Sequence, residues 1–133
     1  MSAPAPSMLS TTARTIAEKL GLTMGRANLE EFADTLRSLA ETVRQIVVVT
    51  SDSRGSGKLG PFGQALPRQL VEVGIAEQNL VGIAAGLASA GKKSFAVSPA
   101  CFLTARALEQ IKNDVCYSDV PATIVGISAG VSY

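Results

Sequence analysis

The run Gln45-Ile-Val-Val-Val-Thr50 constrains the fold more than any other part of the chain. Five β-branched residues in succession lose side-chain freedom in a helix and pack well on a pleated surface, so the segment reads as a strand. It has no polar alternation, and a strand without a polar face has to be covered on both sides. Residues 70–73 (Leu-Val-Glu-Val), Phe95-Ala-Val97 and residues 122–127 read as further strands, with helical patterns between them. Strands alternating with helices predict an α/β fold: a three-layer α/β/α domain on a mostly parallel sheet.

The helical patterns differ in strength. Over residues 11–22 a weak one (Ala13, Ile16, Ala17, Leu20) ends at Gly21. Asn28 followed three residues later by Glu31 forms a capping signature, and Leu29, Phe32, Leu36 and Leu39 then recur at spacings of three and four. That stripe is expected to face the sheet, with Glu30 and Glu31 in the first turn where the helix dipole favours them. Residues 51–67 read as a loop. A helix of small residues runs from Glu77 to Gly91, and residues 100–117 read as one helix carrying Phe102 and Ile111. Residues 1–10, rich in Ala, Pro and Ser, are expected to form a loose tail ahead of a single domain over 11–133.

Glycine inside a helix costs roughly 1 kcal/mol relative to alanine, so Gly82 and Gly86 want a packing reason. Tight packing on the chain's own sheet would supply one, and a subunit interface would supply another.

Composition narrows the chemistry. The 133 residues make room for one domain, and 12 Lys and Arg against 11 Asp and Glu leave a net charge of +1, too even for the basic face that nucleic acid requires. Histidine is absent, which removes His-dependent triads and His metal ligation. Cys101 and Cys116, on one helix, would stand about 22 Å apart at ~1.5 Å per residue, too far to bridge. Two free thiols, no basic leader and no run of eighteen apolar residues point to a cytoplasmic protein that does not enter the membrane.

Two segments invite a functional reading. The loop Arg54-Gly-Ser-Gly-Lys58-Leu-Gly60 is glycine-rich, but a nucleotide-binding loop would carry glycine where Asp52 stands and Ser or Thr where Leu59 stands. Glu77 lies between an apolar strand and a nearly uncharged helix. Burial there would raise its carboxyl pKa while the helix N-terminus would favour the anion. It is either a carboxyl that shares a proton or a helix-start glutamate serving the dipole, and periodicity leaves both open.

Val73-Gly-Ile-Ala-Glu-Gln-Asn79, followed by Leu80-Val-Gly-Ile-Ala-Ala-Gly-Leu87, resembles the signature of the pyrimidine-binding domain of transketolases and related thiamine diphosphate enzymes. Four further stretches are similar in the same order: Gly25-Arg26-Ala27, then Thr50-Ser-Asp-Ser-Arg-Gly-Ser56, then Arg106-Ala-Leu-Glu-Gln-Ile-Lys-Asn113, then Ser128-Ala-Gly-Val-Ser-Tyr133. The resemblance implies that Glu77, as a protonated carboxyl, hydrogen-bonds a ring nitrogen of the cofactor's aminopyrimidine and promotes its imino tautomer, so that the cofactor's own nitrogen takes the thiazolium proton. It implies that Phe102 packs on the ring, that Asp52 and Asn79 line the cofactor site, and that Arg26 and Ser56 hold a sugar phosphate. The first aromatic of the family's Phe102 segment is replaced here by Pro99.

The chain stops at Tyr133, before the family's following glycine-rich and His-containing segments, and it lacks the Gly-Asp-Gly and downstream Asn that bind metal and diphosphate. The resemblance therefore implies a domain incomplete at its C-terminus, with thiamine diphosphate shared with a diphosphate-binding transketolase subunit or domain and magnesium held by that partner. The implied reaction is two-carbon ketol transfer between sugar phosphates. The alternatives are a deoxyxylulose-phosphate synthase, a 2-oxo acid dehydrogenase beta-type domain, or a non-catalytic dimerising fragment. A parallel sheet lacking its last elements exposes an edge and a face, so homo-oligomers are expected.

Overall fold

The computed structural model describes residues 10–23 and 25–130. Four parallel strands, β1 (Ile46–Thr50), β2 (Leu70–Glu72), β3 (Lys93–Pro99) and β4 (Thr123–Ile127), lie in the order β2-β1-β3-β4. The helices are α1 (Thr11–Lys19), α2 (Asn28–Thr42), α3 (Gly60–Ala65), α4 (Glu77–Ser89), α5 (Ala100–Arg106) and α6 (Leu108–Gln110). A 3₁₀ turn (Pro67–Gln69) precedes β2, and a π-helical segment (Ile111–Tyr117) follows α6.

β1 is buried at every position, as its unbroken apolar run requires. Alternate residues face opposite layers. Val48 joins Leu36, Ala40, Phe62 and Val97 in the core under α2 and α3, while Val49 joins Leu80, Ala84, Ala96 and Leu103 in the core under α4 and α5. This is the expected three-layer α/β/α fold on a parallel sheet. Buried and half-buried polar groups tie the layers together. Ser94 Oγ donates to the Ala84 carbonyl at 2.7 Å, and Gln69 Nε2 donates to the Ala40 and Ile46 carbonyls at 3.1 and 3.0 Å.

Four expectations are corrected. The stretch 51–67 is not all loop: α3 starts on Gly60 with Pro61 in its first turn, a position where the missing N–H costs nothing. Leu59 and Phe62, at 0% and 1% exposure, anchor it to the core. The helix over 100–117 is broken, because Ala107 leaves the helical region (φ −115°, ψ 16°). That turn keeps Leu103 and Ala107 in the core while Leu108 faces outward, so the one-rod spacing of Cys101 and Cys116 does not apply; both are free. The Asn28–Glu31 capping pair does not form. Asn28 is already helical, Ala27 is the cap, and Glu31 accepts from Arg26 instead. Lastly, Leu39 stands 51% exposed, and Ala33 and Ala40 complete the buried stripe of α2 beside Leu36.

The tail expected over 1–10 lies outside the described residues except for Ser10, whose Oγ accepts from the Ala13 N–H and caps α1. Residues 131–133 of the last matched segment also lie outside them. Among the described residues no helix is long and apolar enough to cross a membrane.

Two small residues set the seat of α5. Pro99 is buried and closes β3 where a strand can end without a donor. A Cβ placed on Gly126 of β4 would stand 3.0 Å from the Ala100 Cβ and 3.2 Å from its Cα. The glycines of α4 have no such neighbours: Gly86 has open space around it, and a Cβ at Gly82 would meet only Asp114 Oδ2, at 3.6 Å. Packing on the chain's own sheet falls to Leu80, Val81, Ala84, Ala85 and Ala88, and supplies no reason for either glycine.

Thr50 Oγ1 is buried with no hydrogen-bond partner among the described residues. A Thr50→Val variant, which keeps the shape and removes the orphaned hydroxyl, is expected to unfold within about 1 kcal/mol of the parent, on the stable side. Chemical denaturation measures this, and a loss above about 2 kcal/mol would show that Thr50 Oγ1 has a partner.

Candidate functional site

Chain order reverses across the sheet between β1 and β3, because β2 is added on one side of β1, and β3 and β4 on the other. In open α/β sheets the crevice at such a point, beyond the strands' C-terminal ends, is where ligands bind. Ser51, just past the end of β1, and Ser98, near the end of β3, share a buried hydrogen bond of 2.6 Å between their hydroxyls.

β2 leaves the sheet through Gly74, whose φ of +71° is readily adopted only by glycine, and the chain enters α4 at Glu77. The Glu77 carboxylate is the first helical residue's side chain, set where the helix dipole is positive, and only 4% of the residue is exposed. Its Oε2 accepts from Arg106 Nη1 at 3.1 Å. The Arg106 guanidinium in turn stands 4.1 Å over the centroid of the Phe102 ring, one helical turn earlier on α5. An open cavity of ≈ 630 Å³ is lined by Ile75, Ala76, Glu77, Gln78, Asn79 and Arg106. Glu77 and Asn79 therefore share one cavity, and Phe102 lies against the Arg106 guanidinium that lines it.

Asp52 lies outside that cavity. It adopts φ +52° just past β1, is exposed, and its N–H donates to Glu72 Oε1 at 2.6 Å. The same Glu72 oxygen accepts from the Gly74 N–H at 3.1 Å, and Glu72 Oε2 pairs with Arg54 Nε at 3.5 Å. One carboxylate thus joins the turn after β1 to the turn that delivers Glu77. The only signal in the sequence for this role is the place of Glu72 near the end of a strand pattern.

Arg26 lines a second cavity, of ≈ 350 Å³, whose walls include Arg54 and Lys58 together with the carboxylates Glu30 and Asp34. Its guanidinium reaches Glu31 at 2.8 Å and Asp34 at 2.5 Å, with 55% of the side chain exposed. The hydrogen bond from Arg26 holds the Asp34 carboxyl below its ordinary range. A depressed carboxyl pKa gives stability that is complete above the unfolded value and is lost as pH falls through the folded one, so this bridge is intact at neutral pH. Ser56 is exposed in the same loop as Arg54 and Lys58 but is not part of the cavity wall. Arg54 and Lys58 were not among the residues expected to face a phosphate. Arg106, likewise, was only part of a matched segment, and its pairing with Glu77 spans 29 positions that local pattern does not bridge.

The site has a buried acid, an aromatic ring and a flat cation at the mouth of an open cavity. Among the described residues no three metal-ligating side chains converge.

Residues 26–133 match the family model described as the transketolase pyrimidine binding domain. The chain is 55% identical over 104 residues to an apulose-4-phosphate transketolase subunit of Phocaeicola vulgatus, covering 78% of this chain and 33% of that protein. It is 38% identical over 101 residues to a putative transketolase C-terminal section of Methanocaldococcus jannaschii, covering 76% and 32%. A 1-deoxy-D-xylulose-5-phosphate synthase of Mycobacterium avium is 41% identical over 101 residues, 76% of this chain and 16% of that one. Among solved structures, one described as a split gene transketolase, inactive beta4 tetramer, superposes with a TM-score of 0.70 at 39% identity, covering 77% of this chain and 34% of that chain. The chain spans about a third of the length of the transketolase subunits it matches.

Proposed function

The chain belongs to the transketolase family through its pyrimidine-binding domain, and from that membership we propose that it supplies the aminopyrimidine half of a thiamine diphosphate site used for two-carbon ketol transfer between sugar phosphates. The observation that carries the reading is Glu77: a carboxyl with 4% exposure, at a helix start, opening onto a cavity beside an aromatic ring. An acid that can give a hydrogen bond to a ring nitrogen and an aromatic that can stack on the ring are the donor set that the aminopyrimidine needs, so the residues fit it. When bound, thiamine diphosphate would supply the carbanion chemistry that a chain without histidine lacks.

The residues have distinct parts in this reading. Glu77 holds the proton shared with the ring, Phe102 carries the ring face, and Asn79 lines the same cavity. Asp52 closes the turn after β1, at the C-terminal end of the strand beside the switch point. Arg26, with Arg54 and Lys58 beside it, receives the substrate phosphate, and Ser56 lies in the same loop as Arg54 and Lys58, outside the cavity wall. The diphosphate and magnesium belong to a partner subunit, and copies of this chain associate through the glycine-bearing face of α4, where Gly82 and Gly86 have no need of their own sheet. The solved relative described as an inactive tetramer of beta chains supports a subunit that is silent without its partner.

Reconstitution tests the proposal. This chain, a diphosphate-binding transketolase subunit, thiamine diphosphate and magnesium together are expected to transfer a ketol unit, and neither chain alone to do so. Arg26→Ala is expected to raise KM for a phosphorylated acceptor by about tenfold, with little change for its unphosphorylated counterpart. A complex that forms and shows no turnover overturns the reading. The 41% identity to a 1-deoxy-D-xylulose-5-phosphate synthase favours one other reaction, and formation of 1-deoxy-D-xylulose 5-phosphate by the reconstituted complex would assign it.

A further inference from the structure

Arg106 makes the two contacts that the reading above assigns to an aminopyrimidine. Its Nη1 donates to Glu77 Oε2 at 3.1 Å, and its guanidinium carbon lies 4.1 Å from the Phe102 centroid. A guanidinium is flat, bears N–H donors in its plane and stacks on aromatic faces. An aminopyrimidine is also flat, bears an amine and stacks. Two such groups cannot lie on one face of Phe102 against one carboxyl. They also require Glu77 in different forms: an ion pair uses the carboxylate, whereas a hydrogen bond to a ring nitrogen uses the acid.

We infer that Arg106 is a placeholder: in the unloaded chain it occupies the position of the aminopyrimidine ring, and it withdraws when the ring enters. The inference rests on the cofactor reading proposed above. The fold gives Arg106 a way out. It is the last residue of α5, the next residue leaves helical geometry, and 48% of its side chain is already exposed, whereas the Glu77 side chain is 4% exposed. Arg106 can therefore turn into solvent while the acid stays in place. Until then it partners a buried carboxylate that would otherwise face the cavity alone.

The experiment uses the full chain and 4-amino-2-methylpyrimidine as the probe, followed by NMR with isotope-labelled arginine. Side-chain protons of Arg106 over the Phe102 ring carry an upfield ring-current shift. Addition of the pyrimidine is expected to return them to ordinary arginine positions in step with saturation. Arg106→Ala is expected to bind the probe about threefold to tenfold more tightly than the parent, the worth of a half-exposed ion pair with a cation–π contact. Arg106→Lys, which keeps the charge without the flat fork, is expected to fall between. Glu77→Gln is expected to lose probe binding in either background.

Two results overturn the placeholder and leave the cofactor reading intact: Glu77-dependent binding during which Arg106 keeps its ring-current shift, or equal affinities for the parent and Arg106→Ala. Binding by neither chain, or binding indifferent to Glu77→Gln, overturns the cofactor reading and the placeholder with it. The titration of the parent chain decides the matter even if Arg106→Ala fails to fold.

Discussion

In the reconstituted complex, Glu77→Gln is expected to lower kcat about a hundredfold to ten-thousandfold, the range that a positioned acid or base contributes. Glutamine has the same shape, so the buried site at the start of α4 keeps its packing, and the amide oxygen can still accept from Arg106. What it cannot do is hold a proton that passes between protein and ring. Comparison of kcat with cofactor affinity makes the test specific. A fall in kcat with thiamine diphosphate still bound fits a role in proton handling, whereas unchanged turnover removes Glu77 from the chemistry. A variant that no longer folds would show instead that the carboxylate is needed for the structure.

Phe62→Ala is expected to destabilise the fold by about 3 to 5 kcal/mol, the usual cost of emptying a buried phenylalanine site. Phe62 is 1% exposed in the core shared with Leu36, Val48 and Val97. Against a total of about 5 to 15 kcal/mol for an ordinary domain, that loss would leave little margin. Equilibrium unfolding in urea measures it. Had residues 51–67 been the surface loop that their composition indicates, the same substitution would change stability by less than about 0.5 kcal/mol.

That contrast shows where sequence is informative. The β1 run is legible because burial on both faces leaves a composition that other elements seldom share. The amphipathic stripe of α2 and the small-residue helix α4 are legible for similar reasons of period and side-chain size. α3 is not, since Gly60, Pro61 and Gly63 are turn residues by propensity, and its helix is held by Leu59 and Phe62 sinking into a core assembled from distant segments. The break at Ala107 has the same cause. Alanine favours a helix, yet tertiary packing of Leu103 and Ala107 overrides that preference.

At the site, Glu77 and Phe102 could be singled out because each lies in a recognisable stretch. Their relation to Arg106 could not. It depends on α5 being laid beside the start of α4 by two strands that neither residue belongs to. The Glu72 junction is hidden for the same reason: its partners, Asp52, Arg54 and Gly74, come from two separate turns. The capping pair at Asn28 failed through competition, as Arg26 offered Glu31 a charged partner that a backbone N–H could not match.

The close approach of Gly126 to Ala100 bears on how such a site can change over generations. A single added carbon on β4 would have to push against the first turn of α5, and with it the ring and the cation that Glu77 meets. Position 126 touches nothing in that cavity, yet a side chain there would ask Ala100, and with it the helix that carries Phe102 and Arg106, to yield by a few tenths of an ångström. Tuning of this pocket is left to residues such as Asn79 and Gln78, whose side chains have room to vary.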